Sequence, residues 1–186
     1  MNRYILLTVT TLFVGCNNTP DYPKDAHCAY MPKVADEYSS EFSSQGICGQ
    51  FIDEDTIKID PKHLKNMDFG EGNVTVLYAN ASSEGKKNVF YISKLGKTIH
   101  TYFFDNGADY FHDGLARVIK KGKIGFINEN LEVVIEPKYD YARFFENGKA
   151  KVCNGCSEKK DGEHSMMVGG KWGLIDTTGK LIEPIK

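Results

Sequence analysis

The 186-residue chain has no surplus of charge. Its 23 Lys and Arg residues stand against 25 Asp and Glu, a formal net charge of -2. Binding a polyanion through bulk electrostatics needs a basic excess, so no nucleic-acid partner is expected. Apolar runs long enough to span a bilayer are also missing. Ile5 to Val14 would reach only about 15 Å as a helix, half of a hydrocarbon core. Tryptophan occurs once, at Trp172, and a second Cys-x-x-Cys is lacking, which weakens any zinc-ribbon reading of the first. No nucleophile comes with a recognisable base and orienter, so no catalytic residue is assigned, no cofactor is expected and the chain does not read as an enzyme. What is present, 41% hydrophobic against 26% charged residues, is the composition of a folded domain.

Five cysteines is an odd number. Met1-Asn2-Arg3-Tyr4 supplies a positive charge, Ile5 to Val14 an apolar stretch, and Leu12-Phe13-Val14-Gly15-Cys16 a small residue directly before a cysteine. This order resembles the signal and lipobox of bacterial lipoproteins, with Phe13 replacing the usual aliphatic residue. The resemblance implies that residues 1–15 are removed and that Cys16 carries lipid. Asn17 in place of Asp favours an outer-membrane destination. Four cysteines then remain for the fold, and an exported protein commonly pairs them. The expected disulfides are Cys153 with Cys156 and Cys28 with Cys48. Residues 16–48, polar and with Pro20, Pro23 and Pro32, read as a lipidated tether.

From residue 49 the chain repeats itself. A first block, F-x-x-G, starts at Phe69, Phe111 and Phe145 and runs into alternating small and apolar residues. A second block comprises Asn88 to Ser93, Lys123-Ile124-Gly125-Phe126-Ile127-Asn128 and Lys171-Trp172-Gly173-Leu174-Ile175-Asp176. A third, Ile-acid-Pro, ends at Pro61, Pro137 and Pro184. Pro61 and Pro137 each stand eight residues before a block-one Phe; Phe103 holds that place before Phe111. Period-two alternation predicts strands. Lys121-Gly122 predicts a tight turn, Gly179 and Asn130 positive φ in equivalent loops, and proline the end of each third strand. The fold class is mostly β, an array of short antiparallel three-stranded meanders. One meander cannot bury both faces, so neighbours must stack.

Lys171-Trp172-Gly173-Leu174-Ile175-Asp176 with Phe145-x-x-Gly148-x-Ala150-x-Val152 resembles the WG repeat family, with Lys123 to Asn128 a copy lacking Trp. The resemblance spans about residues 50–186 and gives about three degenerate units over 49–186. It implies Phe111, Gly125, Phe126, Phe145, Trp172 and Gly173 as repeat-motif core, and an interaction module without catalytic residues. Trp172, Phe126, Phe90 and Tyr91 are taken as equivalent and as core, in preference to a ligand groove.

The spacing from block-one Phe to block-two Ile is shortest from Phe111 to Ile127 and longer from Phe69 to Ile92 and from Phe145 to Ile175. The excess falls around Ala79–Lys86 and Asn154–Gly169, the same inter-strand position. These two insertions are expected as loops on one rim, binding a protein or envelope component. Cys153-Asn154-Gly155-Cys156 reads as a disulfide, with a zinc half-site including His164, or a redox-responsive sensor, as alternatives. Met166-Met167 is weighed as a soft-metal pair against packing, His112-Asp113 as a base with its orienter against turn residues, and Asp53-Glu54-Asp55 reads as a solvated turn.

Overall fold

The computed structural model describes residues 24–33, 43–79, 88–162 and 164–186. In chain order these form β1 (Asp25–Tyr30), β2 (Ser43–Asp53), β3 (Thr56–Ile59), α1 (Pro61–Asn66), β4 (Val74–Ala79), β5 (Asn88–Ser93), β6 (Thr98–His100), β7 (Phe103–Phe104) and β8 (Gly107–Ala108). They continue with β9 (Leu115–Lys120), β10 (Lys123–Asn128), β11 (Val133–Tyr139), β12 (Tyr141–Ala142), β13 (Lys149–Asp161), β14 (His164–Asp176) and β15 (Leu181–Glu183). The sheets are ordered β3-β2-β1-β4-β5-β6, β11-β10-β9, β12-β13-β14-β15 and β7-β8. Every strand pair is antiparallel, and β4-β5-β6, β9-β10-β11 and β13-β14-β15 are three-stranded meanders.

A fourth meander, β1-β2-β3, precedes them and corrects the expected tether. Residues 25–30 and 43–48 are strand, and β1 lies between β2 and β4 inside the six-stranded sheet. Cys28 and Cys48 are disulfide-bonded, with Cα atoms 5.7 Å apart, and both side chains are buried. The polar composition of the segment hid alternate apolar residues, Ala26, Cys28 and Tyr30, that all face the core. The expected signal segment and Cys16 lie outside the described residues.

One constraint recurs in the middle strands. A Cβ on Gly49 would sit 2.3 Å from Lys58 O, on Gly125 2.4 Å from Ile135 O, and on Gly173 2.9 Å from Glu183 O. The third strand's backbone crosses so closely that only glycine fits. Gly49 and Pro61 are spaced as Gly125 and Pro137 are, which marks the first unit in the sequence. At Pro137 the third strand does not end as expected. β11 passes through it to Tyr139, with register shifts where it crosses Gly125. Pro61 and Pro184 do stand beyond the ends of β3 and β15.

The units stack. Phe90 and Ile92 of β5 face one core with Tyr30, Phe51 and Met67, while Tyr91 faces a second with Ala116, Val118 and Ile127. Ile124 and Phe126 of β10 face a third with Phe145, Ala150 and Ile175. Both faces of β5, β9 and β10 are therefore covered, which explains their near-continuous apolar runs. Phe145 meets Phe126 edge-on at 4.7 Å, and the half-buried Phe111 packs on Tyr91 at 5.2 Å. Each large buried apolar side chain contributes about 1.5–3 kcal/mol.

Register refines the repeat alignment. Val74 pairs Ser93, Leu115 pairs Asn128 and Lys149 pairs Asp176. The first block-one turn thus holds one extra residue, and Val76 corresponds to Arg117 and Lys151. His112-Asp113-Gly114-Leu115 and Glu146-Asn147-Gly148-Lys149 are two-residue turns with positive φ at both central positions (52° and 77°, 53° and 74°), as type I′ requires. Lys121 and Gly122 do the same between β9 and β10. In the loop before β11 the positive φ falls on Leu131 (58°), not Asn130, because the Asn128 side chain accepts from the N–H groups of Asn130 and Glu132. Leu131 is fully buried and Lys97 Nζ donates to its carbonyl, which offsets a backbone cost of about 1–2 kcal/mol.

The Asp53-Glu54-Asp55 turn is not merely solvated. Asp55 Oδ1 lies 2.9 Å from His100 Nδ1, and Oδ2 accepts from Lys121 N–H at 2.6 Å, tying the first unit to the second and third. Burial pushes the Asp55 carboxyl upward, but its hydrogen bonds to His100 and Lys121 and the charges of His100 and Lys120 outweigh this and hold it below its ordinary value.

Three substitutions test these contacts. Gly125→Ala places a methyl against backbone and lowers unfolding free energy by about 3 kcal/mol in urea titration. Gly148→Ala, with open space around it and only the positive φ to oppose, loses about 1–2 kcal/mol. Asp55→Asn lowers stability by about 1 kcal/mol near neutral pH. A depressed folded-state pKa contributes above the unfolded value of 3.8 and is lost as pH falls through the folded one, so the difference from wild type shrinks in acid.

Candidate binding cleft

The third and fourth units enclose a cleft of about 1060 Å³. Its floor is built around Arg117, which interrupts the apolar strand Leu115-Ala116-Arg117-Val118 and is only 2% exposed. Arg117 Nε donates to Asp109 Oδ2 at 2.9 Å and Nη2 to Oδ1 at 2.6 Å, a bidentate fork. The Arg117 backbone N–H also donates to Oδ2, at 2.8 Å, and Nη1 donates to Ala142 O at 3.1 Å. The guanidinium lies 4.3 Å from the Tyr102 ring centroid and 5.1 Å from that of Phe104. One side chain thus joins β9, the segment after β8, and β12. Burial raises the Tyr102 phenol above its ordinary value; Arg117 opposes this, and Tyr141, Glu158 and Asp109 add to it.

One wall is the β7–β8 hairpin, where Phe103 and Phe104 are partly exposed. This is the position at which Phe103 replaces the repeat's proline. The opposite wall is the β13–β14 hairpin, and here the structure corrects the expected loop. Asn154–Gly169 is no loop but the outer part of two thirteen-residue strands paired out to Asp161 and His164. The equivalent first insertion falls mostly in 80–87, outside the described residues.

Cys153 and Cys156 are disulfide-bonded at the base of this arm, with Cα atoms 6.2 Å apart. Cys153 is buried, while Cys156 lines the cleft. A Cβ on the facing Gly170 would sit 2.7 Å from Cys153 Sγ, so glycine is required for the strands to close over the bridge. Asp140 fixes the same point. Its Oδ2 accepts from Gly155 N–H at 2.6 Å and its Oδ1 from Lys123 Nζ. The Lys123 and Gly155 hydrogen bonds hold its carboxyl below the ordinary value.

Trp172 is not core. Aligned on Gly173, it corresponds to Ile124, not to Phe126. It is half-buried in the cleft, with Lys151 Nζ 4.7 Å from its ring centroid, Tyr141 edge-on at 6.0 Å, and Nε1 donating to Gly169 O at 2.8 Å. Met166 and Met167 also line the cleft, Met166 being 55% exposed, so neither packs in a core. His112 stacks on Phe144 at 4.3 Å, and Asp113 Oδ2 accepts from Gly148 N–H at 2.7 Å, so this pair links two turns. His164 begins β14; among the described residues no group of three His, Cys, Asp or Glu is placed to hold a metal ion.

Sequence reading missed Arg117, Asp109, Tyr102 and Tyr141. The available signals were an arginine inside an otherwise apolar strand and Phe103 in place of proline. Residues 124–155 match the family model described as WG containing repeat, a stretch that holds Gly125 and stops before Trp172. No curated protein and no solved structure matches the chain.

Asp109→Ala leaves a buried guanidinium without its carboxylate and costs about 3–5 kcal/mol, read as a lowered urea midpoint.

Proposed function

We propose that this chain is a binding module without catalytic activity, that it holds a protein or envelope component in the cleft between the third and fourth units, and that lipid on Cys16 anchors it to the bacterial outer membrane, facing the periplasm or the cell exterior. The observation that carries the reading is the cleft itself. Aromatic and methionine side chains stand open to solvent there, on a floor held rigid by the Arg117–Asp109 fork. The match of residues 124–155 to a repeat family is consistent with this use. The order of Arg3, Ile5–Val14 and Gly15-Cys16 supports both export and the anchoring step of this reading.

A redox-responsive form has one observation in its favour, the placement of Cys156 in the cleft wall. Reduction of Cys153–Cys156 would free the base of the arm, so binding measured with and without a dithiol reductant separates a gate from a static brace.

Photo-crosslinked capture from the native envelope tests the main reading. Trp172→Ala, at a half-exposed position, is expected to retain the melting temperature and lose captured partner about tenfold. Undiminished capture overturns the cleft as the binding surface. Cys16→Ala is expected to move the protein from the membrane to the soluble fraction, and retention in the membrane overturns the anchor.

A further inference from the structure

We infer that the occupant of the cleft is an extended, acidic peptide segment of a partner protein, added as a strand to the outer edge of β13. This deepens the reading of the cleft as the binding surface and rests on it.

The chain already uses the near half of that edge. β12 pairs with β13 only at Val152 and Cys153. Asp140 N–H donates to Cys153 O at 3.0 Å, and Arg143 N–H donates to Lys151 O at 2.9 Å. Gly155 N–H points the same way as Lys151 and Cys153, but its positive φ reverses the alternation. The two-residue turn closed by Asp161 and His164 sets Lys159 and Ser157 against β14, so beyond Gly155 the outward groups are those of Cys156, Glu158 and Lys160. At Gly155 the Asp140 carboxylate takes the N–H, standing where the next strand's carbonyl would be. Beyond Gly155, no strand pairs with β13 on this side among the described residues, although its other side stays paired to β14 as far as Asp161. Glu158 and Lys160 therefore hold out an unpaired donor-and-acceptor edge, and Glu158 stands in the cleft wall. A strand in line with β12 meets that edge and sends alternate side chains toward the aromatic floor.

The charges select the peptide. Asp109 neutralises Arg117 and Asp140 neutralises Lys123. Arg143 and Lys151 in the cleft, with Lys159 and Lys160 on the arm, outnumber Asp105, Glu158 and Asp161. The local surplus is positive on a chain whose net charge is -2, which favours acidic side chains in the partner. A glycan fits less well, because Lys151 lies over the Trp172 face on which a sugar ring would stack. A free backbone edge, moreover, is a feature that a polypeptide satisfies along its length.

The test selects short linear peptides from a displayed library against the folded full chain. The best synthetic peptide is then titrated into wild type, Glu158→Ala and Glu158→Pro. The Glu158 N–H points away from β14, so proline removes the outward donor and leaves the β13–β14 ladder intact. Acidic peptides with alternating apolar residues are expected, with affinity falling as salt rises. Glu158→Pro should weaken binding about tenfold and Glu158→Ala should not. Should proline lower the melting temperature, N-methylation of alternate peptide amides gives the same readout, one parity abolishing binding and the other sparing it. Equal binding by both Glu158 variants, or indifference to methylation, overturns strand addition and leaves the cleft as the binding surface. Binding of a soluble N-acetylhexosamine oligosaccharide, or an empty selection alongside Trp172-dependent envelope capture, overturns the peptide class. An empty selection together with capture that ignores Trp172→Ala overturns the cleft reading as well.

Discussion

The molecule depends on a backbone crossing that only glycine permits. At Gly49, Gly125 and Gly173 the third strand of a meander runs within van der Waals contact of the middle strand's Cα. In those three units the crossing packs the third strand closely onto the middle one. The units also stack, and their contacts form three cores that alternate between units. Stability is then a sum over units and the contacts between them, with no single central core. The unit joining β4, β5 and β6 has Phe90 where the others have glycine, and there β6 is a three-residue strand that leaves the sheet early. The next stretch, freed from the repeat's geometry, becomes the β7–β8 wall of the cleft.

Arg117 turns a groove between units into a site with a fixed floor. At the same register Val76 packs apolar and Lys151 reaches solvent, so the position tolerates any of three solutions. An arginine buried among aromatic rings has to be fully paired, and Asp109 supplies the fork while Ala142 supplies a carbonyl. The Asp109 carbonyl in turn accepts from the Tyr91 hydroxyl of the second unit. The site is therefore braced from three units, although the cleft opens between only two of them.

The strands, tight turns and three of the four meanders were legible because they are local: period-two alternation, Asp-Gly and Asn-Gly pairs, and Ile-acid-Pro blocks each act within a few residues. The first unit was obscured because its middle strand lacks the block-two pattern apart from Gly49, Phe51 and Ile52. Trp172 was misread for a different reason. Ile124 and Trp172 share one register position, and Ile124 is covered by the unit that follows whereas Trp172 faces the cleft. Whether that position is core depends on the neighbour, which no local pattern encodes. Arg117 was hidden in the same way, since an arginine at an alternating position reads as solvent-facing until β12 is laid over it.

The β13–β14 arm would be a poor structure if it had no use. A two-stranded ribbon is marginal in water on its own, and the outer half of this one buries little. Its anchoring is concentrated at the base: the Cys153–Cys156 bridge, the Asp140 carboxylate on Gly155 and the Trp172 indole on Gly169. These contacts fix the direction in which the arm leaves the sheet without covering its edge. An edge held in strand conformation loses little further entropy when another strand joins it. The same features that make the arm costly as a free element therefore suit it to the strand addition proposed for it, with the bridge at its base setting where an added strand would lie.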